Sequence, residues 1–271
     1  IGRTALRQGQ LLDAATAQCQ EREAAARAWI ARNPQRSEAL AQARGRMEAQ
    51  APRLLSPERG REATDALRDL ALARGFAVEE ATLGTARAGE ALDIVAAHLV
   101  VEGDRVELPP LLSALYDQPE LVRLVSLDVE VQRFGAQPVR AELRWEYPAP
   151  PRQRPSPGAL PERWSPPAAA APALEGSVAN TNRGRWHALQ DAAAELRSLA
   201  GPLREAARVE AVLEGLAEQE RSVQRWSEAG DAEQRAVLRK LPALLQALDA
   251  SAMGKAHLRP GPGGGLRVDA Q

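Results

Sequence analysis

The chain has 271 residues, with 35 Lys and Arg against 36 Asp and Glu and a formal net charge of −1, so it carries no one-signed field of the kind that steers a protein onto nucleic acid. Its single cysteine, Cys19, excludes an intrachain disulfide and a cysteine-built metal site. No stretch approaches the ~20 consecutive apolar residues that span a bilayer, and an aromatic content of 3% suits alanine-rich helical arrays.

Residues 1–55 are rich in Ala, Arg, Glu and Gln and predict helix. Leu6, Leu11, Leu12, Ala15, Cys19, Ala25, Ala26, Trp29 and Ile30 form a stripe in which small residues prevail. Asn33-Pro34 ends or kinks this helix, and Ser37 with Glu38 and Leu40 restarts it. A small-residue seam packs closely but stabilises little alone. It therefore calls for a partner helix, either in a coiled coil with another chain or in a hairpin within this one. Cys19 reads as an inert thiol on that helix, the other reading being a crosslink between two parallel copies.

Residues 56–147 predict an α+β domain. Ala63, Ala66, Leu67, Leu70 and Ala71 make an amphipathic helix that Gly75 closes as a C-cap. A strand from Phe76 to Leu83, a loop over 84–90 and a more buried strand from Ala91 to Val101 follow. Leu108, Leu111, Leu112 and Leu115 then fall at i, i+3, i+4 and i+7. Asp104 and Glu107 have the spacing of a capping box, while Pro109 and Pro110 push the regular helix toward a start at Leu108 after an irregular turn. Either start turns the leucines toward the sheet.

The clearest signals are two alternating runs. Val125, Leu127, Val129 and Val131 oppose Ser126, Asp128, Glu130 and Gln132; Val139, Ala141, Leu143, Trp145 and Tyr147 oppose Arg140, Glu142, Arg144 and Glu146. Each predicts a strand with one wet and one buried face. The short link from Arg133 to Pro138 joins them as an antiparallel hairpin. The order helix, strand, strand, helix, strand, strand gives a four-stranded antiparallel sheet with both helices on one face, a permuted ferredoxin-like αββαββ sandwich.

The run Gly103-Asp104-Arg105-Val106-Glu107-Leu108, then Leu111-Leu112, Leu115, Pro119, Leu121-Val122 and the strand from Leu124, resembles the periplasmic domain of the PilO pilus-assembly family and the related type II secretion protein M. The resemblance covers the chain through about Tyr147. It implies a non-enzymatic scaffold of a type IV pilus or type II secretion-like envelope machine. Such a protein is anchored in the inner membrane and works on its periplasmic side; an anchor of that kind would have to lie upstream of Ile1 here, since no segment of this sequence can supply it. It would pair with itself or a related coiled-coil, ferredoxin-like protein, with no cofactor and no nucleic acid. The partner-interface residues expected on this reading are Leu11, Ala15, Ala25 and Trp29 on the first helix, and Arg140, Glu142 and Arg144 at the hairpin edge.

Residues 148–180 hold a large share of the 20 prolines and predict an extended linker, in which Trp164 is the one residue suited to dock on a neighbouring surface. Residues 181–253 predict a small helical bundle: Leu189, Leu196 and Leu203 are spaced by seven, Gly201-Pro202 interrupts, Gly230 stops the next helix, and Asp231 caps a third carrying Val237, Leu238, Leu241, Leu244, Leu245 and Leu248. The glycine-rich tail, 254–271, predicts disorder.

Nothing in the spacing predicts catalysis. His98, His187 and His257 lie in separate segments without the short-spaced partners of a metal site. The glycines from 261 to 265 lack the lysine and flanking strand and helix of a phosphate loop. Glu79-Glu80 and Glu218-Gln219-Glu220 read as solvated faces. A second reading, from a different class, is a soluble cytoplasmic adaptor that binds a peptide or small ligand and dimerises through its C-terminal helices.

Overall fold

A computed structural model describes residues 2–56, 59–131, 138–152, 164–165, 177–250, 255–261 and 265–270. The chain divides into two compact units.

The first unit takes residues 1–44 and 155–216. It contains α1 (Gly2–Ile30), the start of α2 (Asn33–Gln50), α5 (Ser177–Ser198) and the start of α6 (Ala200–Ala250). Pro34 and Pro202 each lie in a first helical turn, where the missing N–H is no loss, so each proline begins a helix instead of breaking one. Leu12, Ala15 and Cys19 bury against Leu189, Ala192 and Ala193, and Ala26 against Leu196 and Leu203. The α1 members recur at three, four and seven, a narrow seam that leaves Leu6, Leu11 and Ala25 exposed. Asn182 Nδ2 donates to the Ala5 carbonyl at 3.1 Å, Arg185 meets Asp13 at 3.2 Å and Arg27 meets Glu195 at 3.5 Å. Because these partners rise together along both helices, α1 and α5 run parallel. The partner helix of α1 therefore comes from beyond the linker, and an antiparallel hairpin is not what forms.

The second unit takes residues 45–154 and 217–271. Here α3 (Gly60–Ala73), β1 (Ala77–Leu83), β2 (Asp93–Asp104), α4 (Leu108–Tyr116), β3 (Arg123–Val131) and β4 (Pro138–Ala149) follow in the predicted order. Their strands lie as β1-β2-β4-β3, all antiparallel. This is the order obtained when the first strand of a ferredoxin-like sandwich is moved to its end. Gly75, at φ +79°, caps α3 and returns the amides of Gly75 and Phe76 to the carbonyls of Leu72 and Ala71. Asp104 accepts from the Val106 amide at 2.9 Å and starts a 3-10 turn over Arg105–Glu107, after which α4 begins at Leu108. The prolines, not the capping box, set that start.

Side chains of α3 and α4 (Leu67, Ala71, Leu108, Leu111, Leu112, Leu115) cover one face of the sheet. Under them lie Val95, Ala97, Leu99 and Val101 of β2, Leu127 and Val129 of β3, and Val139, Ala141, Leu143, Trp145 and Tyr147 of β4. The predicted alternation holds along β4 from Val139 to Tyr147. In β3 it breaks at Val125, which is 43% exposed while Leu124 and Ser126 are buried. Register slips by one residue between Leu124 and Ser126, so Val125 is the extra residue of a β-bulge. The predicted link 133–137 lies outside the described residues, but Val131 opposite Val139 fixes the hairpin register.

Two expectations for the C-terminal part are overturned. First, α6 is one helix of 51 residues that runs through Gly230. A glycine costs only about 1 kcal/mol inside a helix, and a Cβ at Gly230 would sit 3.0 Å from the Val122 carbonyl oxygen. The residue thus permits a close approach and does not act as a stop. Val237, Leu241, Leu245 and Leu248 consequently bury in the core under the sheet, and no separate small bundle forms around them. Second, the glycine-rich tail is not unstructured: β5 (Lys255–Gly261) pairs with β3 and with β6 (Gly265–Ala270), making the sheet six-stranded.

Candidate partner-pairing surfaces

The expected interface residues separate into three groups. On α1, Leu11 (61% exposed) and Ala25 are open, whereas Ala15 is buried in the seam with α5. Trp29 is half-buried. Its ring lies 5.8 Å from that of Trp164, tilted by 40°, with the Arg36 guanidinium 4.3 Å from its centroid. Trp164 thus docks on α1 as the sequence suggested, while residues 153–163 and 166–176 of the linker lie outside the described residues. Cys19 is buried in the same seam. Burial pushes its thiol above the ordinary value, against the opposing charges of Arg22 and Arg197.

The third group, Arg140, Glu142 and Arg144, lies on the wet face of β4. The expectation that this is an edge is wrong. β4 is hydrogen-bonded to β2 on one side and β3 on the other, so it offers no free backbone. Its charged side chains instead belong to a cross-strand ladder. Arg140 Nη2 meets Glu79 of β1 at 2.9 Å. His98 of β2 lies between Glu80, at 3.4 Å, and Glu142, at 3.0 Å. Glu142 also accepts from Arg144, and Glu146 from Arg87. The hydrogen bond and charge of Glu79 raise the Arg140 pKa further above its ordinary value. Burial pushes the Glu142 carboxyl up, but hydrogen bonds from Arg144 and His98 more than offset this and leave it below the usual range.

The ladder continues across β3 to β5. Lys255 Nζ lies 3.1 Å from Glu130, His257 Nδ1 bonds Asp128, and Arg259 Nε donates to His257 Nε2. An open depression of about 750 Å³ lies over this part of the face, lined by Asp128, Glu130, Arg140, Glu142, Lys255 and His257 among others. Among the described residues no group of three or more His, Cys, Asp or Glu converges as metal ligands. The carboxylates that the sequence singled out are spent in surface ion pairs: Glu79 and Glu80 as above, Glu218 with Arg221 and Arg225, and Glu220 with Arg46. What sequence reasoning missed is β5. Its signal was present as Lys255-Ala256-His257-Leu258-Arg259, a strict alternation hidden by the glycines that follow.

No family model and no curated protein matches the chain. Among solved structures, it is similar to the type 4 fimbrial biogenesis protein PilO from Pseudomonas aeruginosa, at 17% identity and a TM-score of 0.34. That likeness covers 44% of this chain and 98% of the PilO chain.

Proposed function

We propose that the protein is a non-enzymatic scaffold of an envelope machine of the type IV pilus or type II secretion kind. The observation that carries this reading is the αββαββ sandwich with strand order β1-β2-β4-β3, preceded in sequence by two helices. That is the arrangement implied by the family resemblance of Gly103 to Leu108, Leu111-Leu112 and the strand from Leu124. In this role the protein acts at the periplasmic side of the inner membrane and pairs with itself or with a related protein. None of the described helices is long and apolar enough to cross a membrane. The open positions Leu11 and Ala25 of α1, and the charged face at Arg140, Glu142 and Arg144, are the surfaces such a partner would meet.

Deletion of the gene in its own bacterium, with complementation, tests the reading. Loss of surface pili or of the secreted proteins, restored by the re-introduced gene, is the expected result. Unchanged piliation and secretion in the deletion strain would overturn it.

A further inference from the structure

In the αββαββ core, β3 is an edge strand, with a row of backbone groups free to pair. The chain covers that edge with its own C-terminal hairpin. Leu127, Asp128, Val129 and Glu130 stand opposite Leu258, His257, Ala256 and Lys255. The fit is two-sided. Ala256 and Leu258 turn into the core and are fully buried, while Lys255 and His257 turn to the wet face against Glu130 and Asp128. Arg259 continues the basic row and donates to the His257 ring. Backbone pairing gives such an added strand its affinity, and the alternating side chains give it specificity.

We propose that the β3 edge is a strand-addition site for an alternating basic–apolar strand, filled in cis by Lys255–Gly261 and filled in trans when two copies of the chain exchange their C-terminal hairpins. Three observations favour this occupant. Among the described residues the hairpin joins the sheet through β3 alone, since β5 pairs otherwise with β6. The strand shown to fit belongs to every copy, so exchange reproduces each contact without a new surface. Pairing of β3 with β3 of a second copy would instead bring Asp128 and Glu130 toward their own duplicates, where like charges oppose association. The inference stands on the sheet alone and does not depend on the machine proposed above.

The test uses the full chain carrying Asp128→Cys and His257→Cys, with Cys19→Ser to remove the native thiol. The protein is unfolded, refolded at a series of concentrations and oxidised, and its disulfides are mapped by mass spectrometry. A 128–257 disulfide is expected within single chains when dilute and between two chains when concentrated. The intermolecular-to-intramolecular ratio should rise about tenfold per tenfold in concentration, as for any competition between a bimolecular and a tethered partner. A 128–257 bond that stays within one chain at every concentration would overturn the exchange. Folded protein that forms no 128–257 bond, or dimers joined 128 to 128, would overturn the site itself. Should this variant not fold, the unsubstituted chain is refolded as a mixture of heavy- and light-isotope copies and weighed under native conditions. Mixed dimers are expected, in a proportion that rises with the concentration at which the chain is refolded. A chain that stays monomeric throughout overturns the trans arm.

Discussion

Gly103, at the end of β2, lies against the buried ring of Phe76, so closely that a Cβ built on the glycine would stand 2.5 Å from Phe76 Cδ1. The glycine is needed for this contact and not for its backbone angle. The aromatic partner stands immediately before β1, 27 positions away in sequence. Gly103→Ala should therefore destabilise the protein by about 1–3 kcal/mol, the range for forcing an extra carbon into a packed core. Urea midpoints check this, and adding Phe76→Leu should return part of the loss. Additive losses in the double variant would show that the ring is not what the methyl group meets.

The bulge at Val125 makes a contrast within one strand. Val125→Lys should change stability by less than about 0.5 kcal/mol, as for ordinary surface positions. Leu127→Ala, two residues on and fully buried, should cost about 2–5 kcal/mol. Thermal or chemical unfolding of the pair decides between the bulged register and the unbroken alternation read from the sequence. Equal costs at both positions would favour the latter.

Glu233 of α6 is buried and meets Arg123 at 3.2 Å, with its second carboxylate oxygen unpartnered. Burial raises its pKa, and the Arg123 charge only partly opposes this. For a raised carboxyl, the stabilising contribution is complete below the unfolded value, about 4.3, and is lost as pH rises through the folded value. Glu233→Gln mimics the protonated group. It should thus be more stable than the parent at pH 7, and the difference should shrink toward pH 4. Denaturant midpoints at the two pH values test this, and a variant less stable at pH 7 would refute it.

The two tyrosines of the sequence, Tyr116 and Tyr147, both lie in or against the sheet core. Burial raises both phenols well above the ordinary range, with smaller contributions from Glu233 and Glu120 respectively. The sign is that of a raised acid: stability is intact below about pH 10, the ordinary tyrosine value, and falls as pH climbs through the folded values. Ultraviolet absorbance of tyrosinate should accordingly stay low near pH 10 and rise together with the loss of circular dichroism. Smooth ionisation near pH 10 in folded protein would contradict the burial.

The sequence on its own specified those elements whose signal is local. Alternation over Val139 to Tyr147 marked β4 because a one-residue error would turn every apolar side chain to water. The four leucines of α4, the two prolines in its first turn and Gly75 after α3 act within a turn or two, and each was read correctly. Tertiary structure decided what depends on distant partners. Gly230 is a punctuation mark in isolation and a packing device once the Val122 carbonyl lies beside it. The stripe from Val237 to Leu248 fits a bundle or a sheet equally well by periodicity, and it packs into the core of the sheet. Lys255 to Arg259 is too short to hold an isolated strand, and it becomes one because β3 supplies both a hydrogen-bonding edge and the acidic residues to match. Arg140, Glu142 and Arg144 were placed on the correct face but at the wrong position across the sheet. Alternation fixes which way a side chain points; only the pairing of strands fixes which one lies at the edge.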